Sequence, residues 1–121
     1  MRFHESFDSV YICDGITEIQ TTAFAGEQFS KLRWPKTCNT IPSSCFESCK
    51  IEEITNIDHV TTIEENAFKQ TNITKFRWPE KCDRIPANCF YQGELEKITS
   101  IDHVKYVGDS AFEYSEIEEI I

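Results

Sequence analysis

Apolar side chains recur every third residue along most of this chain, and the whole set recurs every 22 residues. Phe24, Phe46, Phe68, Phe90 and Phe112 mark the period, each preceded by a small residue: Ala23, Cys45, Ala67, Cys89 or Ala111. Five positions after each Phe stands Phe29, Ile51, Ile73, Leu95 or Ile117. Further columns read Val10, Leu32, Ile54, Phe76, Ile98, Ile120, then Cys13, Pro35, Ile57, Pro79, Ile101, then Ile16, Cys38, Val60, Cys82, Val104, and last Ile19, Ile41, Ile63, Ile85, Val107. A step of three fits neither the two-residue alternation of a strand nor the 3.6-residue period of a helix. It describes a coil built from short segments. One such coil cannot bury its apolar edge alone, so neighbouring coils stack and the columns become a continuous core. At the roughly 4.8 Å spacing of paired strands, about five and a half coils would make a stack of about 25 Å.

Two coil types alternate. "KLRWPKTCNTIPSSCF" from Lys31 returns as "KFRWPEKCDRIPANCF" from Lys75, and residues 31–74 align with 75–118 without a gap at 19 identities in 44 positions. The other coil type carries "IDHV" and "AF" in place of the Trp-Pro and Cys-Phe elements. In each coil the segment beginning five residues after Phe, such as "IEEIT" or "ITKFRW", has the β-branched and aromatic residues of a short strand. Its equivalents one coil away lie in register, which predicts a parallel sheet. The Pro of "IPSSCF" and "IPANCF" opens a turn or 3₁₀ segment on the opposite, convex side. Glu64 and Asp109 are expected early in that segment, at its positive end.

The pattern L-x-x-I-x-x-(P/I)-x-x-V-x-x-I-x-x-x-A-F, seen in "IEEITNIDHVTTIEENAF" (51–68) and "LEKITSIDHVKYVGDSAF" (95–112), resembles the BspA-like leucine-rich repeat. The resemblance spans roughly residues 7–121. It implies a leucine-rich-repeat solenoid, a right-handed coil with a short-stranded parallel sheet on one face and turns or 3₁₀ segments on the other. It also implies an adhesion or binding role at a cell surface. Residues 1–121 then form one repeat domain of about five 22-residue coils, with 1–6 irregular.

Composition narrows the function. The chain has 121 residues, 40% hydrophobic and 27% charged, in the range of a folded globular domain. It has no run of about 18 apolar residues, and "MRFHESFDSV" lacks the basic and apolar regions of a signal peptide, so membrane insertion is not expected. A net charge of −9 argues against nucleic acid as a partner. Cys38, Cys45, Cys82 and Cys89 sit in core columns. Equivalent cysteines two coils apart would lie roughly 10 Å from each other, beyond the ~7 Å reach of a disulfide. They are read as buried thiols, with a within-coil bridge such as Cys45–Cys49 left open. Unpaired thiols suit a reducing, cytoplasmic setting, whereas the resemblance points to a cell surface.

No catalytic set, metal or cofactor is expected. Cys49 has Gly93 as its equivalent, so no zinc spacing repeats. His59 and His103, beside Asp58 and Asp102, have no nucleophile in register with them and read as turn residues. Solenoids bind partners across their sheet. Strand alternation turns two columns outward, one with Tyr11, Arg33 and Arg77, the other with Lys31, Lys75 and Lys97. These cations are a candidate site for a partner protein or acidic glycan, set against the plainer reading of a solvated face with cross-strand pairs around Glu53. Trp34 and Trp78 are candidates either for binding anchors, if exposed, or for packing under the strand end. Ile117, Ile120 and Ile121 stand at ladder positions, and the alternative function is an intracellular scaffold or a self-associating repeat protein that forms a homodimer by end-to-end stacking. The sequon Asn72-Ile73-Thr74 has a core residue at its centre and carries little weight.

Overall fold

A computed structural model describes residues 7–121. The expectation for residues 1–6 lies outside the described residues. The backbone winds as a solenoid, and every strand pair is parallel with partners 22 residues apart, as in Leu32↔Ile54 and Phe76↔Ile98. One face carries β1 (Phe7–Tyr11), β2 (Gln28–Arg33), β4 (Lys50–Thr55), β6 (Lys75–Arg77), β8 (Lys97–Thr99) and β10 (Glu119–Ile120). The Phe column becomes a spine of near-parallel rings, with centroids 5.5, 5.4, 5.5 and 5.7 Å apart from Phe24 to Phe112. Such offset stacks add to the burial of large apolar rings.

The convex side is built of turns, and no 3₁₀ segment occurs among the described residues. The reason is periodic left-handed backbone. Ser44 and Ser48, Asn66 and Gln70, and Asn88 and Gln92 all have φ between 56° and 64°. A 3₁₀ run needs negative φ throughout, so each left-handed residue interrupts it. The resulting β-turns close on themselves through Cys45 N–H to Pro42 O (3.2 Å), Glu47 to Ser44 (3.2 Å) and Cys49 to Phe46 (3.1 Å). The intervening N–H groups turn to the next coil: Ser44 to Glu65 O (3.1 Å), Phe46 to Ala67 O (2.8 Å) and Ser48 to Lys69 O (2.8 Å). The same three bonds recur at each of the four junctions between successive turns. With no helix there, Glu64 meets no helical positive end. Its carboxylate instead accepts from Ser43 N–H in the preceding coil (3.1 Å).

A second strip of strands, not expected from the sequence, lies between the main sheet and the turns. It consists of β3 (Thr40–Ile41) paired with β5 (Thr62–Ile63), and β7 (Arg84–Ile85) paired with β9 (Tyr106–Val107). Glu64 N–H donates to Ile41 O, and Gly108 N–H to Ile85 O. In the alternate coils Pro42 and Pro86 occupy that position and have no N–H to give. The ladder therefore runs in pairs.

The pairing explains the 44-residue period. A Trp-Pro coil is bonded to the Asp-His coil after it through Trp34 N–H to Thr55 O (3.0 Å), Asn56 Nδ2 to Trp34 O (2.8 Å) and His59 Nε2 to Pro35 O (2.9 Å). Trp78 to Thr99 O (2.9 Å) and His103 Nε2 to Pro79 O (2.7 Å) repeat it. Because a carbonyl only accepts, Nε2 carries the proton in both imidazoles. Between the two bonded pairs the main sheet breaks: β1-β2-β4 and β10-β8-β6 are separate sheets. At the break Asn72 Oδ1 accepts from Ile51 N–H (2.8 Å), occupying a place that a strand carbonyl would otherwise fill.

The core runs through the middle coils, from Phe29 to Ala111. In the outer coils the same columns open, so Cys13 and Ile16 are exposed although their equivalents Ile57 and Val60 are buried. Close coil contact has one absolute steric requirement. A Cβ on Gly108 would fall 2.4 Å from Ala87 N and 2.7 Å from the Pro86 carbonyl carbon. Gly108→Ala is expected to cost about 1–3 kcal/mol, read as a lower urea midpoint at unchanged m value, and an unchanged midpoint would contradict this packing.

Candidate functional site

The main sheet turns alternate side chains outward. Leu32, Ile54, Phe76 and Ile98 are buried, and the residues beside them form the exposed face. Tyr11 lies 64% exposed with the Arg33 guanidinium 4.5 Å above its ring. Arg33 also grips Asp14 with both terminal nitrogens, at 3.0 and 3.2 Å. That bidentate bond, followed by the Lys36 N–H, holds the Asp14 carboxyl below the usual carboxylate range. Lys31 stands 3.9 Å from Glu53, and Lys97 stands 3.4 Å from Glu119. Arg77 meets Asp58 at 2.7 Å and Glu80 at 2.8 Å. The structure thus places a carboxylate beside four of the five candidate cations. Lys75 is the one with no ion-pair partner among the described residues.

Lys75 stands at the break in the sheet. The two half-sheets part between β4 and β6 and leave a cleft of about 320 Å³. Ile54, Ile73 and Phe76 line its apolar part, and Glu53, Lys75, Arg77, Lys97 and Thr99 its polar part. Three of the five cations come together here. Lys31, Arg33 and Tyr11 lie on the first half-sheet, apart from the cleft.

Trp34 and Trp78 are not part of this face. Both are completely buried, and their indole Nε1–H groups donate to Cys38 O and Cys82 O, each at 3.0 Å. They pack against the Phe spine, Trp34 on Phe46 at 5.9 Å and Trp78 on Phe90 at 6.2 Å. The Trp-Pro bend folds the ring under the strand end, and the internal carbonyl satisfies its one donor. They are therefore core residues and not binding anchors.

The break itself was invisible in the sequence, because the residues around it follow the same columns as elsewhere. The one available signal was Asn72, where Gln28 and Lys50 open the six-residue strands β2 and β4.

None of the six cysteines is bonded to another, which closes the Cys45–Cys49 alternative. Cys38, Cys45, Cys49, Cys82 and Cys89 are buried and Cys13 is exposed. Burial pushes the Cys45 and Cys49 thiols up to about 12, and raises Cys82 and Cys89 as well. No cluster of three or more His, Cys, Asp or Glu placed to hold a metal occurs among the described residues. Likewise no described helix is long and apolar enough to cross a membrane.

Among known families, the chain matches the BspA type leucine rich repeat region, in six copies across residues 3–121. The main face carries six strands, the last of them the two residues Glu119–Ile120. No curated protein and no solved structure matches the chain.

The thiols make stability fall in alkali. An unfolded thiol ionises near its ordinary 9.0, whereas folded Cys45 holds its proton to about 12. Above the first value the unfolded state binds fewer protons and gains. The Cys45 contribution is thus complete below about pH 9 and is lost from there to about pH 12, by up to about 1.4 kcal/mol per pH unit. Urea midpoints across that range should show the fall, and Cys45→Ala should make it shallower, with the remainder carried by Cys49, Cys82 and Cys89. Alanine already fills this column at Ala23, Ala67 and Ala111. A native protein in which all six thiols react freely with a disulfide reagent would overturn this reading.

Proposed function

Since the chain belongs to the BspA-type leucine-rich repeat family, we propose that it is a non-catalytic interaction and adhesion module that binds a partner through its main sheet face. The supporting observation is the cleft, where the sheet is open and Lys75, Arg77 and Lys97 converge. An acidic partner, protein or glycan, fits those charges despite the net −9 of the whole chain, because recognition follows the local field. The ion pairs already on the face are exposed, and such pairs contribute only about 0–1 kcal/mol. Exchanging one for a partner carboxylate or sulfate therefore costs little.

Poly-L-glutamate and heparin serve as defined acidic probes in a titration at low salt. Binding of either is expected, weakening as salt rises, with loss of about tenfold or more for Lys75→Glu combined with Arg77→Glu, on the scale of one or two charge-assisted contacts. Lys69→Glu, on the turn side beside Tyr91, should bind like the parent. Equal weakening by both variants would assign the effect to total charge and remove the face from the reading.

Self-association through the last coil is a second reading, favoured by the exposure of Tyr106, Val107, Tyr114, Ile120 and Ile121. It predicts a solution mass of twice 14.1 kDa that returns to one chain with Ile120→Glu and Tyr114→Glu together. A single-chain mass at every accessible concentration rejects it.

A further inference from the structure

We propose that the cleft between β4 and β6 receives a short acidic peptide in extended conformation, with carboxylates at alternate positions. The inference rests on the reading of the main sheet face as the binding face, and adds which ligand it takes and how.

The first observation is a like-charge pair. On the outward column, register partners are Ser9 and Lys31, Lys31 and Glu53, Lys75 and Lys97, and Lys97 and Glu119. Two of these are attractive pairs whose charged groups approach each other, Lys31–Glu53 at 3.9 Å and Lys97–Glu119 at 3.4 Å. Lys75 and Lys97 alone set like charges directly opposite, an arrangement that disfavours the folded sheet. At Lys75 no carboxylate offsets it among the described residues, because the natural cross-strand partner, Glu53, stands across the open cleft. An incoming anion would complete the alternation of charge that the other coils complete internally.

The second observation selects a peptide over other anions. The facing edges of β4 and β6 have no strand beside them, so beyond Ile51 N–H, which already donates to Asn72 Oδ1, no strand pairs with their ladder N–H and C=O groups. Open edges of this kind accept an added strand, whose main chain supplies the affinity and whose alternate side chains supply the specificity. Lys75 and Arg77 are two residues apart on one strand and both point outward. Their spacing of about 6.6 Å along the strand matches residues i and i+2 of an extended peptide. A peptide with acids at alternate positions meets Lys75 directly and Arg77 in exchange for Asp58 or Glu80, while its intervening side chains turn toward Ile54, Ile73 and Phe76. A sulfated or carboxylated glycan meets the cations but has no main-chain amides to pair with the edges.

The probes are a blocked Ac-Glu-Val-Glu-Val-Glu-amide, the same peptide N-methylated on both valines, and a heparin hexasaccharide, titrated against the whole chain by calorimetry at low salt. Binding of the first, weakened about tenfold or more by N-methylation and abolished by Lys75→Glu, supports the inference. Equal binding of the N-methylated peptide overturns it, since charge without strand addition would then suffice. If heparin binds and the peptide does not, the strand-addition inference fails while the sheet-face reading stands. If no acidic probe binds, both fail. Lys75→Met separates a folding defect from a binding one: relief of the like-charge pair should leave its urea midpoint equal to or above the parent, with peptide binding weakened. A fall in that midpoint would mean that Lys75 serves stability, and would overturn the assignment.

Discussion

The structure depends on coil-to-coil hydrogen bonding along the turns. Left-handed residues recur at fixed positions in every coil, and their geometry lets alternate N–H groups reach the carbonyls of the next coil. These bonds persist at the junction where both sheet faces part, as in Asn66 to Ala87 O, Phe68 to Cys89 O and Gln70 to Tyr91 O. They set the pitch at which the Phe rings stack, and that stack supplies the apolar interior. The interior fixes which cysteines are buried. A backbone that leaves few N–H groups unpaired on this side tolerates the local strain of non-glycine residues at positive φ.

Alternation of two coil types modulates this uniform stack. The Trp-Pro coil offers Trp34 O and Pro35 O at a bend, and the following Asp-His coil answers with Asn56 and His59. Pro42 and Pro86 withhold a donor on their other side. The narrow second strip is therefore bonded in twos, the main sheet in two sets of three strands, and the central junction where both are interrupted becomes the cleft. The histidines belong to this structural bonding.

The face that results is nearly neutral except at the break. Arg33, Arg77, Lys31 and Lys97 each hold a carboxylate, while Lys75 faces Lys97 across the ladder. The fold is thus a rigid support for one open strip of sheet. That is the form in which repeat proteins generally present a binding surface, since each coil contributes a similar strand and the array sums them.

Sequence alone determined the period, the architecture of about five stacked coils, the parallel register and the burial of Phe46, Phe68, Phe90, Cys38, Cys45, Cys82 and Cys89. Stacked coils superpose equivalent positions, so a column of apolar residues in the sequence is a column in space. It did not determine the form of the convex turns, because the left-handed positions are taken by Thr, Ser, Asn, Gln and Tyr, with Gly only at Gly26, and carry no clear backbone signal. It left Trp34 and Trp78 undecided, because burial of an indole depends on whether its N–H finds a partner, and Cys38 O and Cys82 O are brought there only by the bend. Only the tertiary structure decided the break between β4 and β6 and the isolation of Lys75. Both arise from which donors meet acceptors between coils, a relation among residues far apart in the chain that no single repeat contains.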